Sequence, residues 1–338
     1  MLKLYGETPL SALLIGIRDQ LRRPARGVAL ADGDLLDGAT CLVTGANSGL
    51  GKAVATELAR RGARLILACR SGIPEAGEQI RRESGNDAVE MVPVDLSDLD
   101  SVRALGDGLA ERAEKIDVVI ANAGIVPRRS SRTAQGFELM FGVNYLAHAM
   151  MIRRLLRDGL IRNSVFSTDG EPTAEARRLP RIVIVSSQLH RSARPIDFAT
   201  FGRYVDYGLV RGLRQYGHTK LLLCTLAQEL ARRLAPAGEV QVAVHSLCPG
   251  GVATNIARDV PPPLKPAADW VMQRLLASPE RAAGPVVYLA CAREIEGRTG
   301  CYLHMTQPKP PSAEACDRDQ GRRLWRATEA LLAPFERD

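Results

Sequence analysis

Tyr216 and Lys220 are the two side chains of this sequence whose types and spacing could carry out proton transfer. Residues four apart share one face of a helix, so the Lys ammonium would lie beside the Tyr phenol and favour its ionised form. A phenol that titrates near ~10 in water then becomes a proton donor and acceptor near neutral pH. The same spacing also occurs in ordinary surface pairs, so by itself it predicts only a candidate acid and base.

A glycine-rich turn lies far upstream of this pair, in the segment Thr44–Gly51, which reads Thr-Gly-Ala-Asn-Ser-Gly-Leu-Gly between a strand-like run and a helix-like run. Gly45 would allow a tight turn, Gly49 would let the backbone approach a pyrophosphate, and Gly51 would let the helix pack on the strand. The helix N-terminus would face the phosphates. The turn therefore predicts a dinucleotide site, although glycines can also serve a turn alone.

Short apolar runs alternate with amphipathic stretches along the whole chain, which predicts an α/β fold with a doubly wound, Rossmann-type parallel sheet. With 338 residues and 46% apolar content, we expect one large domain with a mostly seven-stranded sheet. The predicted strands cover residues 40–44, 64–69, 89–94, 116–121, 181–186, 240–247 and 300–304. The predicted units are an N-terminal extension (1–37), a catalytic domain (38–305) and a C-terminal helical tail (306–338).

The order of several motifs resembles the short-chain dehydrogenase/reductase family over roughly residues 38–305. Besides the glycine turn and the Tyr/Lys pair, the shared motifs are Asp95-Leu96, Asn122-Ala-Gly124, Asn144, Ser186-Ser187, and Pro249-Gly250 with Thr254. Within the family, three further segments resemble the branch of retinol dehydrogenases and light-dependent protochlorophyllide reductase. These segments are Leu65–Arg70, Phe141–His148 and Val185–His190.

The resemblance implies a role for each candidate catalytic residue. Ser187 and Tyr216 would share hydrogen bonds to the substrate oxygen while a hydride passes between the nicotinamide and the carbon. Ser186 is the neighbour that Ser187 could be confused with, because only one of two consecutive strand residues can point into the site. Lys220 would hold the nicotinamide ribose and lower the pKa of Tyr216. Asn144 would anchor a water through which Lys220 exchanges protons.

The resemblance also implies a set of cofactor contacts. Asp95 would lie at the adenine, Asn122 and Gly124 along the adenosine, and the Pro249-Gly250 turn with Thr254 near the nicotinamide. The full expected set is Gly45, Asn47, Ser48, Gly49, Leu50, Gly51, Arg70, Asp95, Leu96, Asn122, Ala123, Gly124, Tyr216, Lys220, Pro249, Gly250, Val252 and Thr254.

Cys69 and Arg70, at the end of the second predicted strand, indicate which dinucleotide is used. Many NAD-preferring relatives carry an acid at the position of Cys69, where it holds the ribose hydroxyls. An acid would repel a 2′-phosphate, whereas the guanidinium of Arg70 can grip one through two hydrogen bonds. We therefore expect NADP (NADPH) to be preferred, with NAD as the second option; the alternative is an exposed Arg without a ligand.

The predicted function is the interconversion of an alcohol and a carbonyl on a hydrophobic substrate such as a retinoid, steroid or polyketide. We expect residues 188–214 and a lid after Thr254 to line the pocket, and Tyr204 and Tyr207 are candidate contacts. One alternative is reduction of a carbon–carbon double bond, as in protochlorophyllide reductase. The other is a non-catalytic, cofactor-sensing protein, against which the complete set of candidate catalytic residues argues.

Composition argues against several other classes of protein. The seven Cys are odd in number, scattered and free of Cys-x-x-Cys spacing, which predicts reduced thiols and a cytoplasmic protein. The five dispersed His predict no metal site. A net charge of +7 permits anionic partners such as a phosphorylated cofactor, but the 4% aromatic content shows no basic-aromatic stripe, so we expect no nucleic-acid binding.

The N-terminal arm carries apolar residues at helical spacing over positions 10–21, flanked by charges. This stretch is too short and too charged to span a bilayer, and it lacks a secretion-signal pattern. It could contact a membrane peripherally, but packing on the domain or on a sister subunit is favoured, because amphipathic helices usually face protein. We also expect a homo-oligomer. The polar stretch 162–180 is predicted to be a surface loop.

Overall fold

The computed structural model describes residues 27–167, 178–251 and 277–336. The predicted helix over residues 10–21, the lid with Val252 and Thr254, and the middle of the loop predicted at 162–180 lie outside the described residues. Over those three ranges, no helix has both the length and the apolar character that crossing a membrane requires.

Eight strands of the described chain form one sheet in the order β3-β2-β1-β4-β5-β6-β7-β8. All neighbours are parallel except the last pair, β7 and β8, which is antiparallel. The strands are β1 (Thr40–Thr44), β2 (Arg64–Cys69), β3 (Val89–Pro93), β4 (Val118–Ala121), β5 (Arg181–Val185), β6 (Ala243–Cys248), β7 (Tyr302–His304) and β8 (Gln307–Pro308). The predicted doubly wound α/β class is confirmed, with one short antiparallel strand beyond the seven expected.

Helices cover both faces of this sheet. They are α1 (Gly49–Arg60), α2 (Glu75–Ser84), α3 (Leu99–Glu111), α4 (Leu139–Phe141), α5 (Ala147–Arg157), α6 (Leu209–Arg233), α7 (Pro279–Cys291), α8 (Ala313–Cys316) and α9 (Arg318–Leu332). A π-helical turn, Gly142–Leu146, joins α4 to α5, and a 3-10 turn, Gln188–Ser192, follows β5.

Two apolar cores result, one on each face of the sheet. Successive strand residues point to opposite faces, and in β1 this sends Leu42 into one core and Cys41 and Val43 into the other. Helices α1 and α7 close the core of Cys41 and Val43, and helices α3, α5, α6 and α9 close the core of Leu42. Burial on both faces explains why the strands read as continuous apolar runs in the sequence.

Strand β6 begins three residues later than the apolar pattern predicts. The backbone N–H of Gln241 donates to the carbonyl of Leu234 at 2.9 Å, so the chain just before β6 is held against the end of α6 instead of pairing with β5. Pairing with β5 starts at Ala243, opposite Arg181. Residues 240–242 fit the strand pattern by composition, but the Gln241 amide pairs with Leu234 and not with β5.

The C-terminal tail packs onto the sheet domain through α9. Trp325 is buried in the same core as Leu42, and its ring stacks on Phe166 with the ring centres 5.5 Å apart. The guanidinium groups of Arg153 and Arg233 lie 4.7 and 4.4 Å from the centre of the indole ring. The predicted helical tail is therefore continuous with the main core.

Candidate active site

The motifs meet at the carboxyl edge of the sheet, where the adjacent strands β1, β4, β5 and β6 end. The glycine turn follows β1, Asn122 follows β4, Ser187 follows β5 and Pro249 follows β6. In open α/β sheets this edge is where ligands bind, at the point where the strand order reverses. Here the order reverses between β1 and β4, so the glycine turn lies at that point.

The glycine turn is built so that only glycine fits at its key positions. Gly45 and Gly49 have φ angles of +67° and +54°, which residues other than glycine rarely adopt. A Cβ on Gly51 would lie 2.2 Å from the Gly45 carbonyl oxygen and 2.5 Å from Asn122 Nδ2. Asn122 Nδ2 donates to the carbonyl of Thr44 at 2.9 Å, so it braces the turn from the neighbouring strand. This cradle fits the pyrophosphate of a dinucleotide at the N-terminus of α1.

Other predicted cofactor residues surround the same turn. Ser48 is the N-terminal cap of α1, and its side chain makes no capping hydrogen bond there. Asn47 Nδ2 donates to Ser71 Oγ at 3.3 Å, across the turn that follows β2. Leu50 and Leu96 are buried, one in each of the two apolar cores.

Cys69 and Arg70 point in different directions at the end of β2. Cys69 is buried, and burial raises the pKa of its thiol, while hydrogen bonds from the backbone amides of the glycine turn lower it by less. Its side chain therefore faces the cradle. Arg70 is exposed, with its guanidinium 4.0 Å from Asp95 Oδ1. Arg70, predicted to bind the 2′-phosphate, and Asp95, predicted to lie at the adenine, are thus neighbours.

The turn after β6 lies on the far side of the site. Pro249 is buried, and Gly250 has a φ of +87°, which favours glycine. Burial raises the pKa of the Cys248 thiol, and the nearby Gly250 amide opposes this with a smaller effect. Among the described residues, no three His, Cys, Asp or Glu side chains converge as metal ligands would.

Helix α6 presents Tyr216 and Lys220 beside the end of β5. The hydroxyl of Ser187 lies close enough to the Tyr216 phenol to lower its pKa, and it accepts from the Leu189 amide at 3.3 Å. Lys220 is buried, with Nζ donating to the carbonyl of Val185 at 2.9 Å and lying 5.4 Å from the centre of the Tyr216 ring. Ser186 points the other way: its hydroxyl donates to the Lys220 carbonyl at 3.0 Å. Of the two adjacent serines, Ser187 is the one grouped with Tyr216.

Burial controls the protonation of this pair. Burial raises the pKa of the Tyr216 phenol, and the neighbouring Ser187 hydroxyl opposes this with a smaller effect. It also lowers the pKa of Lys220 to about 8. The direction for Tyr216 is opposite to the lowered pKa expected from the sequence, because desolvation disfavours the phenolate more than its neighbours favour it. Tyr216 is therefore a protonated phenol at neutral pH, the form that donates a proton.

Asn144 lies in the π-helical turn and is fully buried. Its side chain is held on both polar atoms: Oδ1 accepts from the Ile125 amide at 2.8 Å, and Nδ2 donates to the Ile125 carbonyl at 3.0 Å. A Cβ on Gly124 would lie 3.5 Å from both Asn144 Oδ1 and Lys220 Nζ. Asn144 and Lys220 thus flank the exposed backbone of Gly124. The π-helical turn that carries Asn144 is itself a feature that is frequent at functional sites.

Glu138 is not singled out by the sequence pattern. It connects Tyr207 and the first turns of α6 to the short helix α4, which precedes Asn144. It is fully buried, and its carboxylate caps α4 by accepting from the amides of Met140 and Phe141 at 2.7 and 2.9 Å. It also accepts from Tyr207 Oη at 2.7 Å and from Gln215 Nε2 at 2.8 Å. Because glutamate is not among the favoured N-cap residues, the sequence near Glu138 does not predict this role. The role becomes visible only through the contacts with Tyr207 and Gln215.

The two tyrosines before α6 have partners within the protein. Tyr207 is 4% exposed, and its hydroxyl is used by Glu138. The Tyr204 ring lies under the guanidinium of Arg132, 3.9 Å from the ring centre. Both therefore contribute to holding residues 204–215 against the chain that follows β4.

Comparison with known proteins supports the same family. A family model described as short chain dehydrogenase matches residues 39–169. Human retinol dehydrogenase 14 is 34% identical over 330 residues, which cover 93% of this chain and 91% of the relative. Human retinol dehydrogenase 13 is 34% identical over 336 residues, which cover 96% of this chain and 94% of the relative.

Solved structures show the same fold. An uncharacterised protein from Mycobacterium paratuberculosis matches with a TM-score of 0.66 at 28% identity, over 91% of this chain and 98% of that protein. A candidate NAD(P)-dependent gluconate 5-dehydrogenase from Beutenbergia cavernae, solved with NADP bound at low occupancy, matches with a TM-score of 0.56 at 27% identity, over 80% of this chain and 96% of that protein.

The glycine cradle, the Tyr/Lys pair on α6 and the similarity along nine-tenths of the chain all agree. The protein is an NAD(P)-dependent oxidoreductase of CH–OH and C=O groups, and the chain belongs to the short-chain dehydrogenase/reductase family, in its retinol dehydrogenase-like branch.

Proposed function

We propose that this protein is an NADP(H)-dependent alcohol dehydrogenase or carbonyl reductase that acts on a hydrophobic substrate of the retinoid, steroid or polyketide type. The observation that carries the proposal is the grouping of Ser187, Tyr216 and Lys220 at the carboxyl edge of the sheet, next to the glycine cradle. The names of the relatives, retinol dehydrogenases 13 and 14, support an apolar alcohol or its carbonyl.

Tyr216 is the proposed acid and base. In the direction of reduction its phenol donates a proton to the substrate oxygen, and in the direction of oxidation the phenolate removes that proton. Ser187, next to the Tyr216 phenol, donates a second hydrogen bond to the same oxygen and stabilises the charge that develops there. The bound nicotinamide supplies or accepts the hydride.

Lys220 is proposed to restore the proton of Tyr216. Its pKa of about 8 lets Nζ both release and regain a proton near neutral pH. Asn144 flanks Gly124 together with Lys220, and we propose that it anchors the water through which Lys220 exchanges protons with solvent. The hydrogen bond from Lys220 Nζ to the Val185 carbonyl keeps the ammonium at the edge of the sheet.

Arg70 is the proposed selector of NADP over NAD. Its guanidinium is exposed beside the cradle, and its pairing with Asp95 at 4.0 Å is the kind of exposed pair that contributes little. The guanidinium therefore remains free to bind a 2′-phosphate. The NADP in the Beutenbergia cavernae structure supports this choice of cofactor.

A panel of carbonyls and alcohols tests the proposal: all-trans-retinal, a steroid ketone, a polyketide-like ketone and a short aliphatic ketone, with the matching alcohols. Oxidation of NADPH is followed by its absorbance, at equal concentrations of NADPH and NADH, and Tyr216→Phe serves as the inactive control. We expect turnover of the apolar carbonyls with NADPH preferred. Conversion of none of them, or saturation of a carbon–carbon double bond with the carbonyl intact, would overturn the proposed reaction.

A further inference from the structure

His148 connects the proton-transfer side of the site to the nucleotide side. It is the second residue of α5 and is fully buried. Its Nδ1 lies 3.1 Å from the carbonyl oxygen of Asn144, one turn earlier in the helix. Its Nε2 lies 3.0 Å from the hydroxyl oxygen of Thr44, at the end of β1.

The partners of this imidazole determine its tautomer. A carbonyl oxygen can only accept, so Nδ1 must carry the hydrogen that bonds the Asn144 carbonyl. Burial and the nearby Lys220 lower the pKa of His148 to about 4, against the opposing effect of the Asn144 carbonyl, so the ring is neutral at pH 7. Nε2 is then an acceptor. The Thr44 hydroxyl also lies 3.4 Å from the Ile120 carbonyl, but its one hydrogen goes to Nε2, which is the closer acceptor at 3.0 Å.

The Thr44 hydroxyl extends this connection into the cofactor cleft. With its hydrogen directed to His148, its oxygen accepts from the backbone amides of Asn122 and Ala123 at 3.0 and 3.1 Å. These two residues begin the motif that ends at Gly124, beside Lys220. One ring therefore joins the Asn144 turn to the strand ends that form the cradle.

We propose that His148 is a positioning residue of the catalytic site: as a neutral Nδ1–H imidazole it fixes the Asn144 carbonyl relative to Thr44 and the Asn122-Ala-Gly124 turn. The proposal rests on the proposed function, since the positions it fixes are those of the Asn144–Lys220 proton route. Loss of this connection would displace the Asn144 turn, and small displacements of a catalytic arrangement can cost up to about 100-fold in rate.

His245 offers a matched control. It is also fully buried, in β6, and neither of its ring nitrogens has a hydrogen-bond partner within the described part of the chain. Replacing either histidine by Phe removes a buried imidazole. Only His148→Phe also removes a connection to Asn144 and Thr44.

The tautomer is tested without any assay of activity. Long-range proton–nitrogen correlation spectra of histidine-labelled protein at pH 7 distinguish Nδ1–H from Nε2–H rings, and the His148 signals are assigned by their loss in His148→Phe. We expect the neutral Nδ1–H form. A neutral Nε2–H ring, or a charged one, would overturn the proposal even if the enzyme is active.

Kinetics test the consequence, with the best carbonyl substrate of the panel and NADPH. We expect kcat of His148→Phe to fall about 10- to 100-fold, with the KM for the carbonyl changed far less. His148→Gln should recover most of kcat, since an amide can donate and accept at the same two places. His245→Phe should retain the wild-type kcat. Equal loss in His148→Phe and His245→Phe, or no recovery in His148→Gln, would mean that His148 serves packing alone.

A double-mutant cycle with Thr44→Val separates this connection from independent effects. If His148 acts through Thr44, kcat of the double variant should be close to that of the worse single variant. If the fold-losses in kcat of the two single variants multiply in the double variant, His148 does not act through Thr44. An inactive wild type would instead refute the proposed function and leave the tautomer experiment to decide on His148.

Discussion

The direction in which a side chain points decides the role of two adjacent serines in this site. Ser186 and Ser187 are adjacent and identical, yet the hydroxyl of Ser186 donates to the Lys220 carbonyl, whereas that of Ser187 lies beside the phenol of Tyr216. The alternation of side chains along an extended chain produces this separation. A prediction for each serine follows directly from its partner.

Tyr216→Phe should lower kcat by at least about 100-fold while NADPH still binds, because the variant lacks the proposed acid and base. Ser187→Ala should also lower kcat strongly, since it removes the proposed second donor to the substrate oxygen. Steady-state kinetics and NADPH fluorescence titration measure the two effects. Ser186→Ala is the matched control and should retain most activity; a larger loss in Ser186→Ala than in Ser187→Ala would contradict the geometry.

Arg70→Ala should raise the KM for NADPH about 10- to 100-fold more than the KM for NADH, because only NADPH loses a charge-assisted hydrogen bond of roughly 1.5–3 kcal/mol. Adding Cys69→Asp should favour NADH further through repulsion of the 2′-phosphate. Kinetics with both cofactors measure the ratio. Lys52→Ala is the control, since Lys52 Nζ is occupied by Glu83 at 2.9 Å; a shift of the ratio in Lys52→Ala alone would assign the selection to Lys52.

Lys220 should destabilise the folded protein at neutral pH. Burial lowers its folded pKa to about 8 from 10.5, so between these values the unfolded chain binds more protons and stability rises with pH. The free-energy cost of burying the charged Lys220 ammonium is fully present below pH 8. Lys220→Met should therefore exceed the wild type in free energy of unfolding at pH 7, by roughly 2–3 kcal/mol. Urea denaturation at several pH values measures this.

The difference between Lys220→Met and the wild type should shrink as the pH rises from 8 towards 10.5, the window set by the folded and unfolded pKa values of Lys220. Lys115→Met, a change at an exposed lysine that bonds the Gly159 carbonyl, serves as the control and should keep the pH dependence of the wild type. A constant difference across this range would show that Lys220 affects stability through packing and not through its charge.

Among the elements, residues 204–215, which lead into and begin α6, are held in place by the carboxylate of Glu138. Each oxygen of Glu138 accepts two hydrogen bonds, one from the cap of α4 and one from Tyr207 or Gln215. Residues 204–215 are thereby held against the turn that carries Asn144. The positioning of Tyr216 therefore depends partly on Glu138, whose partner Gln215, next to Tyr216, lies 77 residues further along the chain.

Glu138→Gln should destabilise the protein, because the amide presents N–H groups to two donors wherever it points. Each buried group left without a partner costs about 1–3 kcal/mol. Tyr207→Phe is the comparison: it removes one donor and leaves the carboxylate with three, so its cost should be smaller. Urea denaturation gives both values, and an equal loss in the two variants would show that the fourfold arrangement is not needed.

Local patterns in the sequence predict the elements and the motif residues but not their long-range partners. The apolar runs locate seven strands, and the glycine spacing locates the turn after β1. Strand β8 is too short, at two residues, to leave a pattern. Glu138 and His148 gain their roles from groups 69 and 104 residues away, which no local spacing encodes. The raised pKa of Tyr216 follows from burial, which only the packed structure provides.

For the whole molecule, one core joins the site to the C-terminal helix. Ile182 and Ile184 of β5, much of α6, and Trp325 of α9 belong to the same apolar cluster. In addition, Tyr145, next to Asn144 in the π-helical turn, hydrogen-bonds Thr328 of α9 at 2.6 Å. The tail therefore supports the face of the sheet from which α6 presents its catalytic candidates.

Trp325→Ala should lower the free energy of unfolding by about 3–5 kcal/mol, the cost of truncating a large buried aromatic side chain. The indole is 4% exposed, stacks on Phe166 and has two guanidinium groups within 4.7 Å of its ring centre, so its removal leaves a cavity and two less well-packed arginines. Urea denaturation monitored by circular dichroism measures the loss. Arg326→Ala, on the exposed side of the same helix, should change stability by less than about 0.5 kcal/mol. If Trp325→Ala is as stable as Arg326→Ala, the tail is not part of the cooperative core.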